Sequence, residues 1–103
     1  MNVKEGILTL LGFAQKAGKL AAGESAVENF LKKGRLLLLV ISAELSESRK
    51  RFWQQQAQVY QVPWIVLEAT KLELGLAIGS SPRGVIGILD RNMAEAIMKK
   101  MQD

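Results

Sequence analysis

The feature that most constrains this 103-residue chain is an unbroken apolar run at 36–41, four leucines followed by Val40 and Ile41. It is too short to span a membrane. Bounded by Gly34 and ending in β-branched residues, it predicts a strand buried on both faces. Two further runs, 64–67 and 85–89, read the same way. Between the runs lie helical patterns. Val3, Ile7, Leu10, Leu11 and Ala14 form the apolar stripe of a first helix stopped by Gly18, and Gly6 and Gly12 inside it predict close packing. Residues 20–22 predict a weak strand. Gly23 opens a second helix with Ala26, Val27, Phe30 and Leu31 on its apolar face, ended by Gly34. Ser46 predicts the cap of a third helix over 47–60, with Trp53, Ala57 and Tyr60 on one stripe and the glutamines on its polar face. Thr70 and Glu73 have capping-box spacing for a short fourth helix. A loop at 80–84 precedes the strand at 85–89. Asp90 or Asn92 caps a last helix whose Met93, Ile97, Met98 and Met101 face the core. The aromatic residues fall mostly on core stripes, with Phe52 the one expected at the surface.

Helices alternating with buried strands predict an α/β fold, an α-β-α sandwich, as a single domain over 1–103. About half the residues (49%) are apolar, enough for one core. Histidine and cysteine are both absent from the sequence. That removes disulfides, Cys/His zinc sites, cysteine nucleophiles and the Ser-His-Asp triad. No cofactor, no metal and no enzymatic activity are expected. The N-terminal apolar stretch is short and starts beside Glu5, unlike a signal peptide. The expectation is a cytoplasmic protein without membrane contact, favoured as a monomer.

Few motifs carry chemistry. The segment 18–23 has glycines at both ends but lacks the Lys-Ser/Thr of a P-loop and has no buried strand before it. Glu44 and Glu47 follow a buried strand, where α/β sites form, yet read best as solvated helix-start acids. Gly23, Glu24 and Ser25 open a helix whose free amides attract phosphate or base acceptors, with capping by Glu24 as the plainer reading. Ser25, Asn29 and Lys33 share one polar stripe. The net charge of +4 is modest, but basic residues gather at Lys16 and Lys19, at Lys32, Lys33 and Arg35, at 49–51, and at Lys99 and Lys100. Arg83 stands alone in its loop.

The stretch Leu11-Gly12-Phe13-Ala14-Gln15-Lys16-Ala17-Gly18-Lys19-Leu20-Ala21-Ala22-Gly23-Glu24 resembles the ribosomal protein L7Ae/L30e superfamily. Within it, the chain is most similar to the small bacterial L7Ae-like proteins of the YlxQ type. The likeness continues through Lys33-Gly34, the run ending at Ser42, Val62-Pro63, Glu73-Leu74-Gly75 with Ala77 and Gly79, and the segment 82–90. The resemblance implies a three-layer α-β-α sandwich with a four-stranded mixed sheet. It also implies RNA binding without catalysis, to ribosomal RNA or another structured RNA such as a kink-turn, and association with the ribosome. Carried over residue by residue, the RNA-binding positions are Gly23, Glu24, Ser25, Ala26, Asn29 and Lys33 on the second helix. In the loop before the last strand they are Ser81, Pro82, Arg83, Gly84 and Val85. Lys16, Lys19, Lys32 and Arg35 would add phosphate attraction. Against the family's Gly-Ala-Asn-Glu-x-x-Lys pattern, Ser25 replaces Asn, Ala26 replaces Glu and Asn29 replaces Lys. Fewer base contacts remain, so shape-led binding fits these residues better. The alternative is a protein-interaction module on the same fold that has lost specific kink-turn recognition, with Phe52 and the last helix as contact points.

Overall fold

The computed structural model describes residues 2–102. Its elements run α1 (Val3–Lys16), β1 (Leu20–Ala22), α2 (Glu24–Lys32), β2 (Leu38–Ser42), α3 (Glu47–Val59), β3 (Trp64–Leu67), α4 (Lys71–Ala77), β4 (Val85–Ile88) and α5 (Arg91–Gln102). The strands form one sheet in the order β1-β4-β2-β3. β4 is antiparallel to both β1 and β2, and β3 runs parallel to β2, so the sheet is mixed.

Strand alternation divides the core into two layers. Leu38, Val40, Ile86 and Ile88 pack with Ile7 and Leu11 of α1, Leu74 of α4 and Ile97 of α5. The intervening Leu39, Ile41 and Val85 pack with Val27 and Leu31 of α2 and Trp53 of α3. Two central strands buried on both faces thus require helices on both sides, the expected three-layer sandwich. Among the described residues no helix is long and apolar enough to cross a membrane.

Several expectations change. β2 begins two residues later than the apolar run, because Leu37 is still joining the sheet through its amide to the Ile88 carbonyl at 2.8 Å. β3 is an edge strand and only partly buried, with Trp64 exposed. Apolarity and length do not distinguish an edge from a centre. Val3, Tyr60 and Met101 are exposed rather than in the core. Each lies at a helix end, beyond the sheet that buries the middle turns. The aromatic residues are mostly at the surface: Phe13, Phe52, Tyr60 and Trp64 are all exposed, and only Trp53 is fully buried. Of the two caps considered for α5, Asp90 is used, its carboxylate accepting from the Met93 amide at 3.0 Å.

Candidate functional site

The register brings three chain crossings to one end of the sheet. Ala22 at the end of β1 faces Ile86, and Ile41 near the end of β2 faces Val85. Gly23 therefore lies beside the start of β4, and its amide donates to the Val85 carbonyl at 3.0 Å. At φ +88° Gly23 adopts a backbone that side-chain-bearing residues rarely take. That conformation turns the chain from β1 directly into α2.

The loop 80–84 is held against the same corner. The Ser80 amide donates to the Gly75 carbonyl at 2.8 Å, and the Arg83 amide to the Lys71 carbonyl at 3.0 Å. Gly75 of α4 is what lets the loop in. A Cβ there would stand 2.9 Å from the Pro82 Cα and collide with the Ser81 backbone. On its other side Leu45 packs over Gly84. Arg83 then lies across Gly23, its side chain 3.5–3.8 Å from where a Cβ would be. Its Nε is buried without a hydrogen-bond partner, and no carboxylate pairs with its guanidinium among the described residues.

The first turn of α2 is open. Gly23 supplies no capping side chain. The other four helices are capped by Asn2, Ser46, Thr70 and Asp90. Glu24 does not fold back over its own amides. Its carboxylate accepts from Arg49 of α3 and, at 3.0 Å, from the Trp53 indole. The Arg49 hydrogen bond, helped by Trp53, holds its carboxyl below the ordinary 4.5 despite partial burial. Arg49 also lies over the Phe52 ring at 4.7 Å. The negative charge next to the helix start is thus matched by Arg49, which leaves the dipole and Arg83 as the uncompensated positive features of this corner.

The sequence-predicted residues separate into two places. Gly23 meets Arg83, and around that contact Glu24, Ser25 and Ala26 share one end of the sheet with Ser81, Pro82 and Gly84. The Val85 side chain is fully buried in the core, and its carbonyl accepts from the Gly23 amide, so Val85 holds the corner together from beneath. Asn29 is exposed midway along α2. Lys33 is the C-cap of α2, one nine-residue helix away, or roughly 13 Å. Lys16 and Lys19 are at that far end too, since the Lys19 carbonyl accepts from Leu89 beyond the end of β4. Arg35 sits over Phe30 there, and Lys32 pairs with Glu28 at 2.8 Å. These bases flank the corner from a distance and form no part of it.

The acids set aside in the sequence are structural. Glu44 accepts from the Lys71 amide at 2.9 Å, and Glu47 pairs with Lys50 at 2.9 Å. No group of three or more metal-binding side chains occurs among the described residues. Arg49, Trp53 and Leu45 were missed. Arg49 stood in a basic run, but nothing in its spacing points to a glutamate 25 residues away.

No family model matches the chain. The RNA-binding protein YlxQ of Enterococcus faecium is 30% identical over 88 residues, covering 85% of this chain and 84% of that protein. The RNA-binding protein YlxQ of Bacillus subtilis (strain 168) is 27% identical over 89 residues, covering 86% and 88%. A solved structure of a protein with unknown function from Bacillus halodurans C superposes with a TM-score of 0.86 at 28% identity, over 94% of this chain and 97% of that one. The Giardia lamblia 15.5kD RNA binding protein superposes with a TM-score of 0.80 at 19% identity, over 97% and 88%. That likeness shows the fold, the three-layer α-β-α sandwich with a four-stranded mixed sheet that the sequence resemblance implies.

Proposed function

The chain belongs to the family of the RNA-binding proteins YlxQ, and from that premise we propose that it binds a structured RNA without catalysing a reaction. The corner formed by the first turn of α2 and the loop 81–84 is the contact surface. The observation that carries this reading is Arg83. A guanidinium lies against an uncapped helix start with its Nε buried and unpaired. A buried donor without a partner costs about 1–3 kcal/mol, a cost that a ligand acceptor drawing the Arg83 side chain outward would remove. RNA offers phosphate oxygens and base edges, and unpaired nucleotides bring both to one point.

The proposed RNA class is a duplex interrupted by unpaired nucleotides, with the kink-turn as its first example, and ribosomal RNA is the proposed source. The helix start enters the groove and Arg83 meets the nucleotides beside it. Ser25 can exchange one hydrogen bond with a base or sugar. Ala26 can exchange none, so backbone amides and shape carry much of the recognition. Lys33 and Lys19 attract flanking phosphates from the far end of α2, which makes affinity fall steeply with salt.

A gel-shift titration with a kink-turn RNA tests this. Wild-type protein is expected to shift the RNA, more weakly at higher salt, and the double variant Ser25→Glu with Lys33→Glu to lose binding. Equal binding by the double variant would place the RNA on another face.

A further inference from the structure

On the opposite layer from this corner, α1 and α4 enclose a groove of about 670 Å³. The helices approach closely at its floor, where a Cβ on Gly12 would stand 3.0 Å from the Ala77 carbonyl. Its walls are apolar: Leu8 on one side, and Phe13 and Leu76 at its lips. Phe13 is 54% exposed and Leu76 is 68% exposed. Large apolar side chains lining one concavity mark a contact site, whereas scattered ones do not.

The charges at the groove are unequal. Glu73 is fully engaged, accepting from Lys4 at 2.9 Å and from the Thr70 amide at 2.9 Å. Lys16 lines the other end and makes no ion pair among the described residues. The groove therefore offers an apolar trough ending in one free positive charge. Of its other polar side chains, Thr9 already donates to the Glu5 carbonyl and Gln15 is neutral, so a nucleic-acid backbone would meet a single free cation beside a mostly apolar wall.

We propose that this groove docks an amphipathic helix of a protein partner, with its apolar face on Leu8, Phe13 and Leu76 and a carboxylate on Lys16. The trough between two helices, floored by small residues, matches the shape of a third helix. Apolar side chains at i, i+3 and i+4 of the partner would fill it, and an acidic residue near one end would fix its direction. This site is separate from the RNA corner, so one chain can hold an RNA and a protein together.

The test places a photo-crosslinking amino acid, p-benzoylphenylalanine, at Leu76 of the full chain in its native cells, with the same substitution at exposed Val59 as control. Mass spectrometry reads the adduct. The expected result is a protein adduct specific to Leu76, mapping to an amphipathic segment with acidic residues. A synthetic peptide of that segment binds the purified chain, and Lys16→Glu weakens it at least about tenfold, the loss of one charge-assisted contact. The Ser25→Glu, Lys33→Glu variant binds the peptide as wild type does, whatever its effect on RNA. The proposal is overturned by no adduct above the control, by an adduct to RNA or to a second copy of the chain, or by a peptide indifferent to Lys16→Glu.

Discussion

Helices α2 and α4 begin at the same end of the sheet, and each carries a glutamate in its first turn. On α4, Glu73 reaches back to the Thr70 amide while the Thr70 hydroxyl accepts from the Glu73 amide, a complete capping box. On α2, Gly23 caps nothing, and Glu24 reaches away to Arg49 and Trp53. One helix start is closed by its own residues and the other is left open beneath Arg83. The same residue type at nearly the same helical position thus has opposite consequences. On α4 it completes local stability, and on α2 it is drawn off so that the helix end stays free for a ligand. With Gly23 in the cap position, the free helix start forgoes only about a few tenths of a kcal/mol against a side-chain cap, so an end kept for binding costs the fold little.

The substitution expected to do most damage to this contrast is Gly75→Ala. The new methyl collides with the loop at Ser81 and Pro82, so the chain loses about 1–3 kcal/mol of stability and Arg83 moves off Gly23. Chemical denaturation and RNA titration both register the change. Arg83→Ala comes next. It removes a charged contact of about 1.5–3 kcal/mol, so RNA affinity falls roughly ten- to a hundredfold, while the denaturation midpoint holds or rises because the buried, unpaired Nε goes with the side chain. Thr70→Ala reverses that pattern, costing about 1 kcal/mol of stability and leaving RNA affinity unchanged. A Thr70 variant that weakened RNA binding would erase the distinction between the two helix starts.

Acid is expected to act more gently and on both starts. The Glu24 and Glu73 carboxyls are held below their ordinary 4.5, Glu24 chiefly by Arg49 and Glu73 chiefly by the Thr70 amide. The unfolded chain therefore takes up their protons first as pH falls. Their stabilisation is complete at neutral pH and is lost below about the ordinary carboxylate value as the folded carboxyls protonate. Thermal melts of wild type and Glu24→Gln should differ at neutral pH and converge in acid. The smallest effect is that of Lys33→Ala, which should lower the salt dependence of RNA binding by about one counterion.

Much of the fold was legible because its two central strands are apolar on both faces and its helices keep a clear period. Thr70 with Glu73 and Ser46 announced their helices through local chemistry alone. β3 was misjudged because an edge strand and a central strand share the same apolar composition, and its exposure depends on sheet order. The helix start at Gly23 and the loop around Arg83 were legible through the family resemblance. Their contact depends on Gly75, Gly84 and Leu45, residues whose roles appear only when the loop is folded against α4. The hold of Arg49 on Glu24 was out of reach for the same reason, since long-range ion pairs leave no trace in spacing. Lys16, Lys19, Lys32 and Arg35 are expected only to add phosphate attraction, and their distance from Gly23 follows from the helix that carries them to the other end of the sheet.

The proposed RNA contact at the open start of α2 and Arg83 can be read residue by residue. Amide chemical shifts of the isotope-labelled protein, followed as a kink-turn RNA is added, test it most directly. The largest shifts are expected at Gly23, Glu24, Ser25 and Arg83, with the capped turn at Thr70 to Glu73 nearly still. Large shifts at the capped turn or along the α1–α4 groove, with Gly23 to Ser25 silent, would contradict it.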